Sequence, residues 1–83
     1  MSYANHSFTV TLDRVDSVTE QMAERIYSLI GDALLSSSNG QVRLDFDRKA
    51  SSYSEAVSSA IRDIHNAGYE VASVTPSDDR GAT

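Results

Sequence analysis

Asn39-Gly40-Gln41-Val42-Arg43-Leu44-Asp45-Phe46-Asp47 is the stretch that decides the fold. Asparagine and glycine both accept positive φ at low cost, and a two-residue type I′ hairpin turn demands that at both central positions. Downstream, Val42, Leu44 and Phe46 alternate with Arg43, Asp45 and Asp47. That is the period-two pattern of a strand with one apolar and one wet face. The arm before the turn, about residues 34–38, is short and serine-rich, and is expected as a weaker strand at a sheet edge.

Working outward, Phe8, Val10 and Leu12 alternate with Thr9, Thr11 and Asp13, a second half-buried strand. Between the two strands the period lengthens. Met22, Ile26, Leu29, Ile30 and Ala33 step by three and four, one apolar stripe of a helix that starts within two residues of position 18 and ends near Gly31 or Asp32. Ser17 with Glu20 spells a capping box there, and Thr19 is a competing N-cap. After the central strand, Ser52 and Glu55 form another capping box. Tyr53, Val57, Ala60, Ile61, Ile64 and Ala67 make the second helical stripe, and Gly68 supplies the left-handed position that stops it. A last strand covers residues 69–75 and is halted by Pro76; Val71 and Val74 can share its inner face only with a bulge between them.

The order is β-α-β-β-α-β. Two helical stripes and four one-sided strands are buried most economically with both helices on one face of a four-stranded antiparallel sheet, the ferredoxin-like α+β arrangement. In that arrangement the strands at 8–13 and 41–47 lie side by side in the centre. Residues 1–6 and 77–83 are polar and aperiodic, so they are expected as flexible tails around one domain at 7–76.

Eighty-three residues and 9.0 kDa leave no room for a second core. The longest apolar run is three residues, Ala33-Leu34-Leu35, which excludes a membrane-spanning helix. No charged-then-apolar signal peptide is present, so the cytoplasm is the expected compartment. Without cysteine, disulfide scaffolds, thiolate metal sites and cysteine nucleophiles drop out together. A net charge of −5 opposes direct nucleic-acid binding and favours a protein partner with a basic surface.

The helix-free sheet face is where function is expected. Its outward residues are Thr9, Thr11 and Asp13 on the first strand and Gln41, Arg43, Asp45 and Asp47 on the third, with Glu70 on the last strand as a further acidic candidate. Asp13, Asp45 and Asp47 are expected to share a neighbourhood. RNA-recognition modules use the same face but place stacking aromatics and basic residues there. Here Phe8 and Phe46 have the inward parity instead, which rejects that reading. Asp45 and Asp47 at i and i+2 point to one side, as a hard-cation site needs, but such sites take more oxygen ligands, and Arg43 and Arg48 lie close enough to neutralise them. No metal and no cofactor are expected.

No catalytic constellation is visible. His6 falls in the N-terminal tail, and His65 sits near the end of the second helix, where its positive form complements the helix dipole. None of the serines stands in a nucleophile elbow. Ser58 and Ser59, flanked by Ala56 and Ala60, make a smooth helix face that would suit packing by a partner or a second copy. The basic pair Arg48-Lys49 is weak evidence for a phosphate contact, and a salt bridge to Asp45 or Asp47 explains it as well.

Val42-Arg43-Leu44-Asp45-Phe46-Asp47-Arg48, then Ser52 through Glu55-Ala56, Ser59-Ala60-Ile61-Arg62-Asp63-Ile64, Ala67-Gly68 and the strand from Val71 to Pro76 resemble a family of small bacterial proteins loosely described as DNA-binding. The family carries a similar V-x-L-D-F-D-R strand, S-A-I-x-D-I helix and A-G-x-x-V strand, and the likeness spans roughly residues 8–79. There this domain looks like an N-terminal module followed by a helix-turn-helix, and this sequence ends at Thr83, where that motif would begin. What the resemblance implies is the fold and a role as an interaction or dimerisation module, without the DNA reading.

Two functions are therefore expected, neither of them enzymatic. In the first, an acidic protein-binding module blocks a basic partner surface with Asp13, Asp45, Asp47 and Glu70, in the manner of small phage-encoded inhibitors of bacterial defence complexes such as anti-CRISPR proteins, an analogy of size and charge. In the second, the chain is a regulatory homodimerisation unit, associating through an edge strand or the Ser58 helix face.

Overall fold

The structure is a computed structural model, and it describes residues 3–15 and 17–76. The elements follow in the order β1 (Ala4–Asp13), α1 (Glu20–Leu29), β2 (Ala33–Ser38), β3 (Gln41–Ala50), α2 (Tyr53–Asn66) and β4 (Glu70–Pro76). The strands form one antiparallel sheet in the order β2-β3-β1-β4, so β1 and β3 are central and the short serine-rich β2 is an edge. Phe8, Val10, Leu12, Val42, Leu44 and Phe46 of the sheet share one buried cluster with Met22 and Ile26 of α1 and Ala56, Ala60 and Ile64 of α2. Both helices therefore cover the same face. This is the ferredoxin-like α+β fold.

Local signals act where their chemistry demands. Asn39 and Gly40 take φ of 55° and 74°, the paired positive values of the hairpin turn. Ser52 accepts a hydrogen bond from the Glu55 N–H at 3.1 Å, and the Glu55 carboxylate reaches back to the Ser51 N–H and hydroxyl, one residue earlier than in a standard capping box. At the other end of α2 the Gly68 N–H donates to the His65 carbonyl and the Tyr69 N–H to the Ile64 carbonyl, a Schellman arrangement built on Gly68 at φ 96°. In α1 the cap is Thr19, whose hydroxyl accepts from the Met22 N–H at 3.2 Å; the Ser17–Glu20 alternative is not used.

The helical stripes are narrower than the periodicity predicts. In α1 the buried residues are Met22 and Ile26, followed by Ile30 just past the helix end; Leu29 is exposed and Ala33 already belongs to β2. In α2 the buried line runs through Ala56, Ala60 and Ile64, with Val57 and Ile61 half-buried and Tyr53 at the rim against the Phe8 ring.

β1 begins at Ala4, and its first residues pair with Arg48, Lys49 and Ala50 of β3. The stretch 4–6, expected within a tail, is therefore strand. His6 has the inward parity there, with its ring 6.2 Å from that of Tyr53 and its Nε2 3.3 Å from the Ala50 carbonyl oxygen. The expected tail at 77–83 lies outside the described residues, as do Met1, Ser2 and Asp16.

β4 contains the predicted irregularity. Ser73 pairs with Thr11 and Val71 with Leu12, which leaves Ala72 as the extra residue of a bulge. That one residue lets Val71 and Val74 both pack against the core. Among the described residues no helix is long and apolar enough to cross a membrane.

Candidate functional site

The open sheet face is built in rows that the strand register dictates. One row is Leu34, Asp45, Thr9 and Thr75; the next is Ser36, Arg43, Thr11 and Ser73. Beyond them Asp47 lies opposite Ser7 at one end, and Asp13 lies opposite Glu70 at the other. Cross-strand neighbours point to one side of a sheet, so Asp13 and Glu70 stand together.

The expected acidic neighbourhood is thus divided. Asp13 is four residues along β1 from Thr9, the partner of Asp45, a separation of about 13 Å at strand rise. Asp47, opposite Ser7, lies about 20 Å away by the same measure. Between them the face is hydroxyl-rich: Thr9, Thr11, Ser36, Ser73 and Thr75 line a shallow concavity of about 470 Å³ with Gln41, Arg43 and Asp45. Thr9 Oγ1 donates to Asp45 Oδ1 at 2.7 Å, and Arg43 Nη2 donates to Gln41 Oε1 at 2.8 Å. Among the described residues no group of three or more His, Asp or Glu side chains is placed to hold a metal ion.

The end with Asp13 and Glu70 has further features. Like charges directly opposite one another across a strand pair are destabilising. Among the described residues each carboxylate has a basic side chain at the edge of ion-pair range: Arg14 Nε is 3.9 Å from Asp13, and His65 Nε2 is 3.8 Å from Glu70. All four side chains are more than half exposed, so water and salt screen these contacts strongly. Arg14 also adopts φ 64°, a left-handed conformation that costs a non-glycine residue about 1 kcal/mol or more. Asp13, Arg14, Val15, Gly40, Gln41 and Ala72 line a concavity at this end, where the hairpin turn and the β4 bulge meet.

Arg48 does not form the expected salt bridge to Asp45 or Asp47. It has the same parity as Val42, Leu44 and Phe46, so it points to the helix layer and away from Asp45 and Asp47. Its guanidinium sits 5.2 Å from the Phe46 ring centre and donates to Asp32 through Nε at 2.7 Å and Nη2 at 2.8 Å. It also donates to Asp63 Oδ2 and Ser59 Oγ, both at 3.0 Å. This fork holds the Asp32 carboxyl below the ordinary carboxylate value and raises Arg48 further. The parity was the signal that could have found the network. Ser59, half-buried and donating to the Ala56 carbonyl, is committed to it, and Ser58 alone of that pair stays exposed.

No family model, curated protein or solved structure matches the chain.

Proposed function

We propose that the chain is a non-catalytic protein-binding module that offers the Asp13–Glu70 end of its open sheet face to a basic protein surface. The observation that carries this reading is the cross-strand pairing of two exposed carboxylates. Such a pair is a cost to the isolated fold, and a partner cation inserted between them removes it. The left-handed Arg14 beside them points the same way, because backbone strain is retained where function uses it. Asp45 and Asp47 extend the acidic character along the face as separate outposts. In its narrower form the partner is the basic channel of a nucleic-acid-handling defence complex, with carboxylates standing where phosphates would lie; size and the net charge of −5 support that version.

The test is capture of partners from bacterial lysate at low salt by the tagged protein, with elution on a salt gradient. A basic nucleic-acid-handling protein should elute at moderate salt, and the double substitution Asp13→Lys with Glu70→Lys should abolish its capture while circular dichroism stays unchanged. Capture that survives both this pair and Asp45→Lys with Asp47→Lys rules out the acidic face.

A further inference from the structure

Residues 26–42 form an almost uncharged stretch. Asp32 is its single charged residue, and two hydrogen bonds from Arg48 occupy that carboxylate. The stretch includes the edge strand β2, and it exposes Tyr27, Leu29 and, at 68%, Leu34. The two edges of the sheet differ in kind. β4 carries Glu70, the bulge at Ala72 and Pro76, which are the usual devices that blunt an edge. β2 carries no charge and no proline, and its register with β3 runs without a break from Ala33 to Ser38.

The phase of the hairpin says which backbone groups are free. A two-residue turn makes Ser38 and Gln41 a hydrogen-bonded pair, so Ala33, Leu35 and Ser37 direct their N–H and C=O groups away from β3. The Leu35 N–H agrees with this phase: it donates to the Tyr27 hydroxyl of α1 at 2.9 Å.

We propose that β2 pairs antiparallel with β2 of a second copy about a two-fold axis at Leu35, joining two sheets into one of eight strands. In the monomer the Tyr27 hydroxyl competes for the central amide. Each outward residue presents one donor and one acceptor, so an antiparallel edge is complementary to itself. Leu35 then faces Leu35 of the second copy, and Ala33 faces its Ser37. Charge selects this surface: copies of a protein with net charge −5 repel one another, and here they meet with no carboxylate opposed to a carboxylate. The occupant is a second copy for the same reason, since a neutral edge offers nothing to the basic partner proposed for the Asp13–Glu70 end. That end lies across the sheet beside β4, so the two readings stand or fall separately.

Analytical ultracentrifugation of the full chain from micromolar to millimolar concentration tests the proposal. We expect a reversible monomer–dimer equilibrium. Tyr27→Phe frees the Leu35 N–H and should tighten association by up to about tenfold. Ser37→Pro removes an outward N–H without touching the ladder to β3, and Leu34→Glu charges the strand at an exposed position. Both should abolish the dimer with an unchanged circular dichroism spectrum. If the native chain and Tyr27→Phe both stay monomeric at millimolar concentration, the proposal is overturned and the edge is left to an extended segment of another protein. A dimer indifferent to Ser37→Pro and Leu34→Glu overturns it equally.

Discussion

Arg48 grips Asp32 through two parallel hydrogen bonds, Nε to Oδ2 at 2.7 Å and Nη2 to Oδ1 at 2.8 Å. With Ser59 and Asp63 as further acceptors, one side chain ties the central strand β3 to the entry of β2 and to the middle of α2. Its own side chain is 13% exposed, while both carboxylates keep about a third of theirs, so water screens the network only in part.

Removing the guanidinium should therefore cost less than breaking a fully buried pair. For Arg48→Met we expect a loss of about 2 kcal/mol, and a fall in Tm of roughly 8–16 °C for a domain of this size. Arg48→Lys keeps the charge and loses the fork, and should recover less than half of that. Thermal unfolding monitored by circular dichroism measures both, and an Arg48→Met variant as stable as the native chain would show that the fork is energetically idle.

Acid should weaken the same network. The folded-state Asp32 carboxyl lies below its ordinary value of 3.8, held there first by the Arg48 hydrogen bonds. A depressed carboxyl contributes stability that is complete above the unfolded value and is lost as pH falls through the folded one. Stability should drop as pH falls below about 4, and more steeply in the native chain than in Arg48→Met. Urea unfolding of both at a series of pH values reads the difference directly; parallel pH profiles would remove Asp32 from the account.

Arg14 is held at φ 64° with its side chain almost fully exposed, so it costs the fold strain and contributes little packing. Arg14→Gly should leave stability unchanged or raise it by up to about 1 kcal/mol. The same substitution removes the cation beside Asp13, so if this end is the binding site it strengthens capture of the basic partner. A destabilised Arg14→Gly would mean that the arginine does structural work at this corner.

Ala72 is the extra residue of the β4 bulge. Deleting it leaves Val71 and Val74 two positions apart, still opposite Leu12 and Val10 in an unbroken ladder. The deletion should fold, within about 1 kcal/mol of the native chain, because the buried set is unchanged. Deleting Thr11 from β1 should unfold the protein, since it turns Phe8 and Val10 to the wet face relative to Leu12. Denaturant midpoints of the two deletions separate the cases.

These predictions divide along the line between local and non-local chemistry. The order of elements, the Asn39–Gly40 turn, the Ser52 cap, the Gly68 stop and the need for a bulge between Val71 and Val74 were all legible in the sequence. Each depends on residues within a few positions of one another, where φ preference, capping and parity operate without reference to the rest of the chain. Arg48 was expected beside Asp45 or Asp47, its nearest acidic neighbours in sequence, against its own strand parity; its partners are Asp32 and Asp63. The tertiary structure alone decided the rest. That Asp13 meets Glu70 and stands apart from Asp45 and Asp47, that residues 4–6 are strand, and that Tyr27 reaches the Leu35 amide all depend on register and helix placement. Those are set by how two helices and four strands share one core. A period of two assigns a side chain to a face; only the partner strand assigns it a neighbour.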